Sequence, residues 1–235
     1  MKLVTLASVR GAPGVSATSL LLASTFDGAP VVEADLDGGV LAVRYGLGRE
    51  PGLTTLAAAG QDGSGWRTHA QEAGGVPVLV GPDAPSTSAA LWRTAGDRIT
   101  QKLVASDGFA VVDAGRLRSP VSIVAASDLL AILVRPFAEQ LVALTHLLPV
   151  LPRSVNGQIG VVLVGVGPYR AAEVERSIGV TILGELPDDR DAAEALCTGG
   201  ASRGRLSRSR LARSVAELGA QIGASLLEPA AETMP

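Results

Sequence analysis

Short runs of apolar residues recur along this chain, and most of them are followed by a segment with helical character. Leu3–Val9, Phe109–Asp113 and Gln158–Val164 are three such runs. Several runs lack any alternation of polar and apolar residues, so both faces of the strand are expected to be buried, as in parallel strands covered by helices. The pattern predicts an α/β fold, with a mostly parallel twisted sheet, helices on both faces and right-handed crossovers.

Turn residues and changes of hydrophobic period set the expected element boundaries. Strands are predicted over Leu3–Val9, Val31–Ala34, Val76–Val80, Phe109–Asp113, Asp128–Val134, Gln158–Val164 and Thr181–Gly184. Helices are predicted over Ser16–Phe26, Leu53–Ala59, Trp66–Glu72, Ala89–Ser106, Ala138–Leu151, Ala171–Ile178 and Arg208–Leu227. No internal repeat and no long linker interrupts this order. Residues 1–235 are therefore predicted to form one domain, with 228–235 as a flexible tail.

Composition and charge narrow the functions that are expected of this chain. The formal net charge is −3, so tight binding of nucleic acid by the whole surface is not expected, although a local basic patch stays open. The single cysteine, Cys197, cannot form an internal disulfide and fits a reducing compartment. No secretory signal precedes the first strand, and charged residues interrupt the most apolar region, Val121–Leu151. We therefore predict a cytoplasmic protein without a membrane span.

The loop after the first predicted strand is the first candidate site. Ligands of an open parallel sheet bind at the carboxyl ends of the strands, where a helix start presents backbone N–H groups to phosphate. Gly11 and Gly14 would let the backbone approach a phosphate, and Ser16 could supply a hydroxyl to Mg²⁺. The strict pattern G-x-x-x-x-G-K-[ST] is not met, because Val9 replaces its first glycine and Val15 its lysine. Taken alone, the segment is also consistent with a tight strand–helix turn.

This loop resembles the deviant P-loop of the MinD/ParA family. That motif has a lysine, two glycines, any residue, a glycine, a second lysine and two hydroxyl residues after the first strand. The resemblance implies a P-loop NTPase fold that binds ATP or ADP with Mg²⁺ at this loop. In this sequence Arg10 takes the place of the first lysine, Gly11, Ala12, Pro13 and Gly14 follow, Val15 replaces the second lysine, and Ser16 and Ala17 replace the hydroxyl pair.

The resemblance covers most of the chain in order. Val31–Asp37 is similar to the second strand and its aspartate-bearing turn, and Gly38–Leu56 has the spacing of small residues and leucines that follows it. Gly108–Leu117 is similar to the Walker B strand. Leu133–Leu151 and Gly179–Asp188 match the later strand–helix unit and the Gly-x-x-Pro turn.

The resemblance assigns roles to two aspartates that follow predicted strands. Asp35 would place the attacking water and sense the γ-phosphate, and Asp113 would hold Mg²⁺ through water. Either residue could instead cap the turn after its strand, and the glycine-flanked Asp37 is typical of turn chemistry.

The base-binding end of the expected site matches the family only in part. Pro187 and Asp188 resemble the turn that flanks the adenine, although simple loop structure is an alternative. The family usually has an asparagine after the late strand, and Leu163–Gly165 lacks that amide.

The missing lysine lowers the expected affinity for nucleotide. Its charge-assisted hydrogen bonds to phosphate are worth about 1.5–3 kcal/mol each, and roughly 3 kcal/mol is about a hundredfold in affinity. Hydrolysis should suffer further, because the same charge stabilises the transition state. The resemblance implies that the first-lysine position reaches the phosphates of a partner subunit. Arginine can bind phosphate bidentately, so Arg10 could compensate in part.

Three functions follow from these residues. The first is a scaffold or partner-binding pseudo-ATPase with weak or no ATP hydrolysis. The second is a working ATP-dependent dimer switch for positioning a chromosome, a plasmid or a septum. The third is an enzyme of another class on a similar sheet, such as a ligase or reductase, for which the sequence offers no second set of site residues.

Partners are expected to be a second copy of the chain and another protein. The arginines from Arg203 to Arg213 form either a solvated face or a contact for DNA or a partner protein. The tail Pro229–Pro235 lacks the basic and bulky apolar residues of a membrane-binding helix, so no direct membrane anchor is expected. His69 and His146 have no partner set that would suggest catalysis or zinc binding.

Overall fold

One eight-stranded sheet organises the residues that the computed structural model describes, which are 1–10, 14–60, 65–118, 121–197 and 209–228. The strand order is β3-β4-β2-β5-β1-β6-β7-β8, and every pair is parallel except β3–β4. The strands are Lys2–Ser8 (β1), Val31–Glu33 (β2), Gln71–Ala73 (β3), Val76–Leu79 (β4), Phe109–Arg116 (β5), Leu129–Val134 (β6), Gln158–Val164 (β7) and Ile182–Leu186 (β8).

Helices cover both faces of this sheet. They are Val15–Ala23 (α1), Leu41–Tyr45 (α2), Leu53–Ala58 (α3), Pro85–Val104 (α4), Ser122–Ala125 (α5), Ala138–Leu147 (α6), Ala171–Ile178 (α7), Arg190–Cys197 (α8) and Arg210–Leu227 (α9). Trp66–His69 and Leu151–Arg153 form 3₁₀ turns.

Successive residues of the central strands belong to two separate hydrophobic cores. In β1, Val4 and Leu6 pack into the core shared with α1, α2, α8 and α9, whereas Leu3 and Ala7 pack into the core shared with α3 to α7. Adjacent strand side chains point to opposite faces, so a strand that is apolar throughout must be covered on both. The predicted α/β fold with helices on both faces is confirmed.

The largest departure from the predicted elements lies at the sheet edge. The helix predicted over Trp66–Glu72 is wrong in its second half, because Gln71–Ala73 forms an antiparallel strand against β4. Gly74 and Gly75 make the hairpin turn with φ of 57° and 81°, a conformation that favours glycine. The local sequence does not reveal β3, since its pairing partner rather than its own residues makes it a strand.

Helix boundaries also differ from the predicted ones. α4 begins at Pro85 rather than Ala89, because proline at the first helical turn needs no N–H partner there. α6 ends at Leu147 instead of Leu151, and the short helices α2, α5 and α8 were not predicted. The four or five residues of α2 and α5 are too few to show a helical period in the sequence, whereas α8 is as long as the predicted helix α7.

Glu33, the last residue of β2, fixes three segments around the carboxyl end of the sheet. Its carboxylate is buried, and its Oε1 accepts hydrogen bonds from the Val40 N–H at 2.6 Å and the Leu41 N–H at 2.8 Å. Oε2 accepts from the Gly81 N–H at 2.9 Å. A single side chain therefore ties the end of β2 to the first residues of α2 and to the loop after β4.

We expect Glu33→Ala to lower the free energy of unfolding by about 3 kcal/mol or more, because it leaves three N–H groups without their acceptor at about 1–3 kcal/mol each. Urea unfolding followed by circular dichroism measures this change. Glu72→Ala, at an exposed position of β3, is the control and should cost little. A Glu33→Ala protein as stable as the control would contradict the bracing role of this carboxylate.

Candidate functional site

A cleft of about 490 Å³ opens at the carboxyl ends of the central strands. Its walls come from the start of α1, the β2–α2 loop, the end of β5 and the β8–α8 loop. Parallel strands that run the same way bring these loops to one edge of the sheet. The lining residues are Ser8, Gly14, Val15, Ser16, Ala17, Thr18, Asp35, Asp37, Val40, Arg44, Gly115, Arg116, Arg135, Val164, Leu186, Pro187, Asp188, Asp189, Arg190, Ala193 and Leu211.

The first turn of α1 forms one wall of this cleft. Gly14 has φ +83°, in the left-handed region, and its carbonyl accepts the first helical hydrogen bond, from the Thr18 N–H at 2.8 Å. Gly14, the N-cap residue of α1, has no side chain to accept from the first backbone N–H groups, and the positive end of a helix with such N–H groups favours an anion. Arg10, at the end of the preceding segment, is exposed and does not line the cleft. The predicted site residues Gly11, Ala12 and Pro13 lie outside the described residues.

The three residues after Gly14 have different environments. Val15 is only 6% exposed and belongs to the hydrophobic core, so an aliphatic side chain occupies the position at which the resemblance expects lysine. Ser16 is half-buried, and its side chain forms a hydrogen bond with the Asp113 carboxylate. Ala17 is buried beside the cleft.

Asp113 lies beneath the cleft, within β5. It is buried, and its Oδ1 accepts a hydrogen bond from the Gly115 N–H at 3.0 Å. Burial raises the pKa of Asp113 to about 6, and the charge of Glu33 adds to the increase, while the hydrogen bonds from Ser16 and Gly115 oppose it. No described arginine or lysine forms an ion pair with this carboxylate.

Asp35 reaches the same place from the adjacent strand. The Ala34 N–H donates to the Asp113 carbonyl at 2.7 Å, which joins the two strand ends. The Asp35 carboxylate lies against Gly115, where an added Cβ would overlap it, and its Oδ1 accepts from the Asp37 N–H at 2.8 Å. Burial raises the pKa of Asp35 to about 6, with further increases from the charges of Asp113 and Asp37. The two predicted aspartates therefore converge at Gly115.

The backbone of Asp35 is held as firmly as its side chain. The Ser88 hydroxyl, at the start of α4, donates to the Asp35 carbonyl at 2.8 Å. Asp37 is exposed at the edge of the cleft and pairs with Arg118, whose Nε lies 2.7 Å from its Oδ1. Asp37 thus combines the turn chemistry expected of it with a surface ion pair.

The oxygen atoms at this cleft suit Mg²⁺ in a phosphate complex better than a bare metal site. Among the described residues, no group of three or more histidine, cysteine, aspartate or glutamate side chains is arranged to hold a metal ion. The Ser16 hydroxyl and the Asp113 carboxylate are hard oxygen donors, and no described arginine or lysine lies within ion-pair distance of Asp113, which is buried. Mg²⁺ commonly binds through one or two such side chains, with water and phosphate completing its shell.

Pro187 lines the same cleft and directly follows the carboxyl end of β8. The Asp188 carboxylate pairs with the Arg135 guanidinium, at 3.1 Å and 3.4 Å, and lies 3.8 Å from Arg190 Nε. Val164 and Leu186 supply apolar surface between this pair and α1. The turn predicted to flank a base therefore lines the same cleft as Gly14 and the first turn of α1.

Sequence reasoning missed the arginines of the cleft. Arg44, Arg116, Arg135 and Arg190 line it, and each comes from a different segment. None of them matches a residue of the P-loop motif. The only sequence signal for a shared location is that most of them follow the carboxyl end of a strand.

Other candidates lie elsewhere. His69 Nδ1 is 2.9 Å from Thr55 Oγ1, outside the cleft. Arg210 and Arg213 are exposed on α9, whereas Arg203, Arg205 and Arg208 lie outside the described residues, as does the tail 229–235. None of the described helices combines the length and apolar character needed to cross a membrane.

A larger cavity of about 1130 Å³ lies at the opposite, amino-terminal edge of the sheet. Residues such as Leu20, Phe26, Val76 and Phe109 make its walls mostly apolar. It lacks the aspartates and the helix start that face the smaller cleft, and strand topology favours the carboxyl edge for ligands. The smaller cleft is therefore the better candidate for a phosphate ligand.

Comparison with protein-family models gives no match for this sequence, and no curated protein matches it. Solved structures match its fold. The ParA family ATPase from Chlorobium tepidum TLS has a TM-score of 0.76 at 19% identity, over 93% of this chain and 98% of that one. The cell division ATPase MinD from Pyrococcus furiosus has a TM-score of 0.76 at 16% identity, over 95% and 99%. The septum site-determining protein MinD from Pyrococcus horikoshii OT3, complexed with Mg-ADP, has a TM-score of 0.75 at 16% identity, over 97% and 99%.

These likenesses define the class of fold. The chain has a P-loop NTPase fold, as the resemblance of its first loop implied. Within that class it is similar to the MinD and ParA ATPases over nearly its whole length.

The raised pKa of Asp113 has a consequence for stability. Its pKa rises from an ordinary value of 3.8 to about 6 on folding, so between these values the folded state binds more protons than the unfolded state. Stability is therefore lost as the pH rises through this window. We expect Asp113→Asn to be more stable than the wild type at pH 8 by about 3 kcal/mol, with most of the gain lost by about pH 4.

Urea unfolding of the metal-free protein from about pH 4 to about pH 8 measures this difference. Asp97→Asn, on the exposed face of α4, is the matched control and should leave the pH dependence unchanged. An Asp113→Asn protein that is destabilised equally at every pH would show that hydrogen bonding, not desolvation, dominates at this residue.

Proposed function

We propose that this protein is a MinD/ParA-like scaffold that binds Mg-ATP or Mg-ADP weakly in the cleft and hydrolyses ATP slowly or not at all. The observation that supports it is the contrast around the first turn of α1. Ser16, Asp113 and Asp35 gather there, but the buried aliphatic side chain of Val15 occupies the position of the P-loop lysine. The MinD relative from Pyrococcus horikoshii that is complexed with Mg-ADP supports a Mg-nucleotide as the ligand class.

Each proposed role follows from a residue's place in the cleft. The backbone of Gly14–Ala17, together with Gly11, Ala12 and Pro13, would cradle the phosphates, and Pro187 would lie beside the base. The Ser16 hydroxyl and the Asp113 carboxylate would hold Mg²⁺, which supplies positive charge to the β- and γ-phosphates when it is bound. Asp35 would orient a water molecule beside the γ-phosphate, and its raised pKa suits a group that exchanges a proton near neutral pH.

Weak binding follows from what Val15 cannot donate. A lysine at this position would add charge-assisted hydrogen bonds worth about 1.5–3 kcal/mol each. Helix-dipole attraction remains, but it contributes only about 0.3–1 kcal/mol at an exposed helix start. We therefore expect the site to bind nucleotide only at high concentration, which is compatible with a scaffold or a slow switch.

A functional ATP-dependent dimer switch is the second candidate. Arg10 is exposed just before the predicted phosphate loop, so a partner subunit could receive its guanidinium. Such a switch would act in chromosome, plasmid or septum positioning, in keeping with the cell-division and septum-site roles named for the MinD relatives. Dimerisation with productive hydrolysis would distinguish it from the scaffold.

The proposal extends to partners and location. We propose a cytoplasmic homodimer that also binds a protein partner. Arg210 and Arg213 are exposed on α9, where they could contact DNA or that partner together with the arginines from Arg203 onward. The alternative is that these arginines form a solvated helix face without a partner.

Val15→Lys provides the sharpest test of the degenerate loop. We expect it to tighten binding of Mg-ATP at least tenfold, because it returns about 1.4 kcal/mol or more of phosphate contact. Isothermal titration calorimetry of the wild type and the variant measures this. Val15→Met, which adds length without charge, is the control and should leave the affinity unchanged. An unchanged affinity in a folded Val15→Lys protein would count against a pocket that lacks only the lysine.

An ATPase assay separates the two candidate functions. The scaffold predicts little or no phosphate release by the wild type, with or without a partner protein. Multiple turnover that is abolished by Asp35→Ala or Asp113→Ala would refute the pseudo-ATPase and favour the switch. Absence of any thermal stabilisation by millimolar Mg-ATP would remove both, since a bound ligand must stabilise the folded state.

A further inference from the structure

The arginines of the cleft are not equivalent. Arg135 and Arg190 are engaged by the Asp188 carboxylate. Arg44 and Arg116 form no ion pair with any residue in the described ranges. Two cations of the cleft are therefore left without a partner anion in the part of the chain that is described.

Arg44 differs from Arg116 in burial and in the group that its charge reaches. Arg116 is exposed, and its charge acts on Asp35. Arg44 is half-buried, and its charge acts on Asp113, the acid that is hydrogen-bonded to Ser16 in the first turn of α1. Arg44 is thus the unpaired cation on the side of the cleft where the helix start and the proposed Mg²⁺ ligands meet.

The backbone that carries Arg44 is fixed. α2 is five residues long, its first N–H groups are bound by the buried Glu33 carboxylate, and Leu41 and Ala42 pack into the core. Gly46 ends the helix with φ 62°, in the left-handed region. A guanidinium on such a support loses less conformational entropy when it binds than one on a free loop.

A half-buried guanidinium without a counter-ion is partly desolvated, and an anion in the cleft would offset that cost. Arginine offers five N–H donors in a rigid fork that matches phosphate oxygens in pairs. The Asp113 carboxylate does not lie within ion-pair distance of the Arg44 guanidinium. A Mg²⁺ ion bound at Asp113 would add a second positive charge near Arg44. A polyphosphate bound between Arg44 and Mg²⁺ would balance the positive charges of both.

We propose that Arg44 is the phosphate-binding cation of this cleft and takes over, from α2, the contact that the lysine replaced by Val15 would make from α1. This inference rests on the proposed function, because it requires a nucleotide phosphate in the cleft. It adds a residue that the P-loop motif does not contain, and it gives the cleft a cation in cis, independent of Arg10 from a second subunit.

The test is titration calorimetry with Mg-AMPPNP, a non-hydrolysable ATP analogue, on the wild type and on Arg44→Gln, Arg44→Lys and Arg49→Gln. Arg49 lies in the segment after α2, is exposed and pairs with Asp83 at 2.6 Å outside the cleft, so its variant removes the same charge elsewhere. We expect Arg44→Gln to weaken binding at least tenfold, Arg44→Lys to weaken it less, and Arg49→Gln to match the wild type. Inorganic triphosphate with Mg²⁺ should lose affinity by the same factor as AMPPNP.

A double variant tests whether a lysine at position 15 can replace the charge of Arg44. In the Arg44→Gln background, Val15→Lys should restore affinity to that of the wild type or better, because both cations serve the same phosphates. Thermal melting without ligand confirms that each variant is folded.

The outcomes distinguish the two levels of the proposal. A wild type that binds AMPPNP while Arg44→Gln binds it equally well overturns the role of Arg44 and leaves the proposed function standing. A loss seen for AMPPNP but not for inorganic triphosphate also overturns it, since Arg44 would then act on the base or ribose. A wild type that binds no AMPPNP at millimolar concentration removes the proposed function and, with it, this inference.

Discussion

The candidate site depends on one buried carboxylate that is not part of any nucleotide motif. Glu33 accepts three backbone hydrogen bonds and thereby joins the end of β2, the start of α2 and the loop after β4. Asp35 follows Glu33 by two residues, and Arg44 lies on the helix that Glu33 anchors. The hydrogen bonds of Glu33 therefore help to set the positions of both Asp35 and Arg44 at the cleft. The backbone groups that donate these bonds come from distant parts of the chain.

Several charged side chains at the cleft form no ion pair with the described residues. Desolvation raises the pKa of both Asp35 and Asp113 to about 6, and the charges of Asp113 and Glu33 add to the increase at Asp35 and Asp113, respectively. Arg44 and Arg116 lie near them without forming ion pairs in the described residues. An apo protein with such a site is less stable than one with the same groups paired, and a bound Mg-nucleotide would bring complementary charges of both signs. This arrangement favours ligand binding over a purely structural cluster.

The local pattern was sufficient for most of the fold. Apolar runs predicted seven of the strands because most residues of a strand that is covered on both faces are buried and apolar. It failed at β3 and at the brief helices α2, α5 and α8, whose form depends on what they pack or pair against. The site residues Ser16, Asp35 and Pro187 could be nominated because strand ends and a helix start are visible in sequence. That they share one cleft required the strand order.

The sequence by itself determined the class of fold and the presence of an apolar residue, Val15, at the position where the resemblance expects lysine. Hydrophobic pattern and residue identity are local properties of the sequence and do not depend on how distant segments pack. Only the tertiary structure decided that Asp35 and Asp113 meet at Gly115, that Glu33 is a buried brace, and that Arg44 faces the cleft. Burial, desolvation and charge proximity depend on segments far apart in the chain, and those quantities exist only after the segments have been brought together.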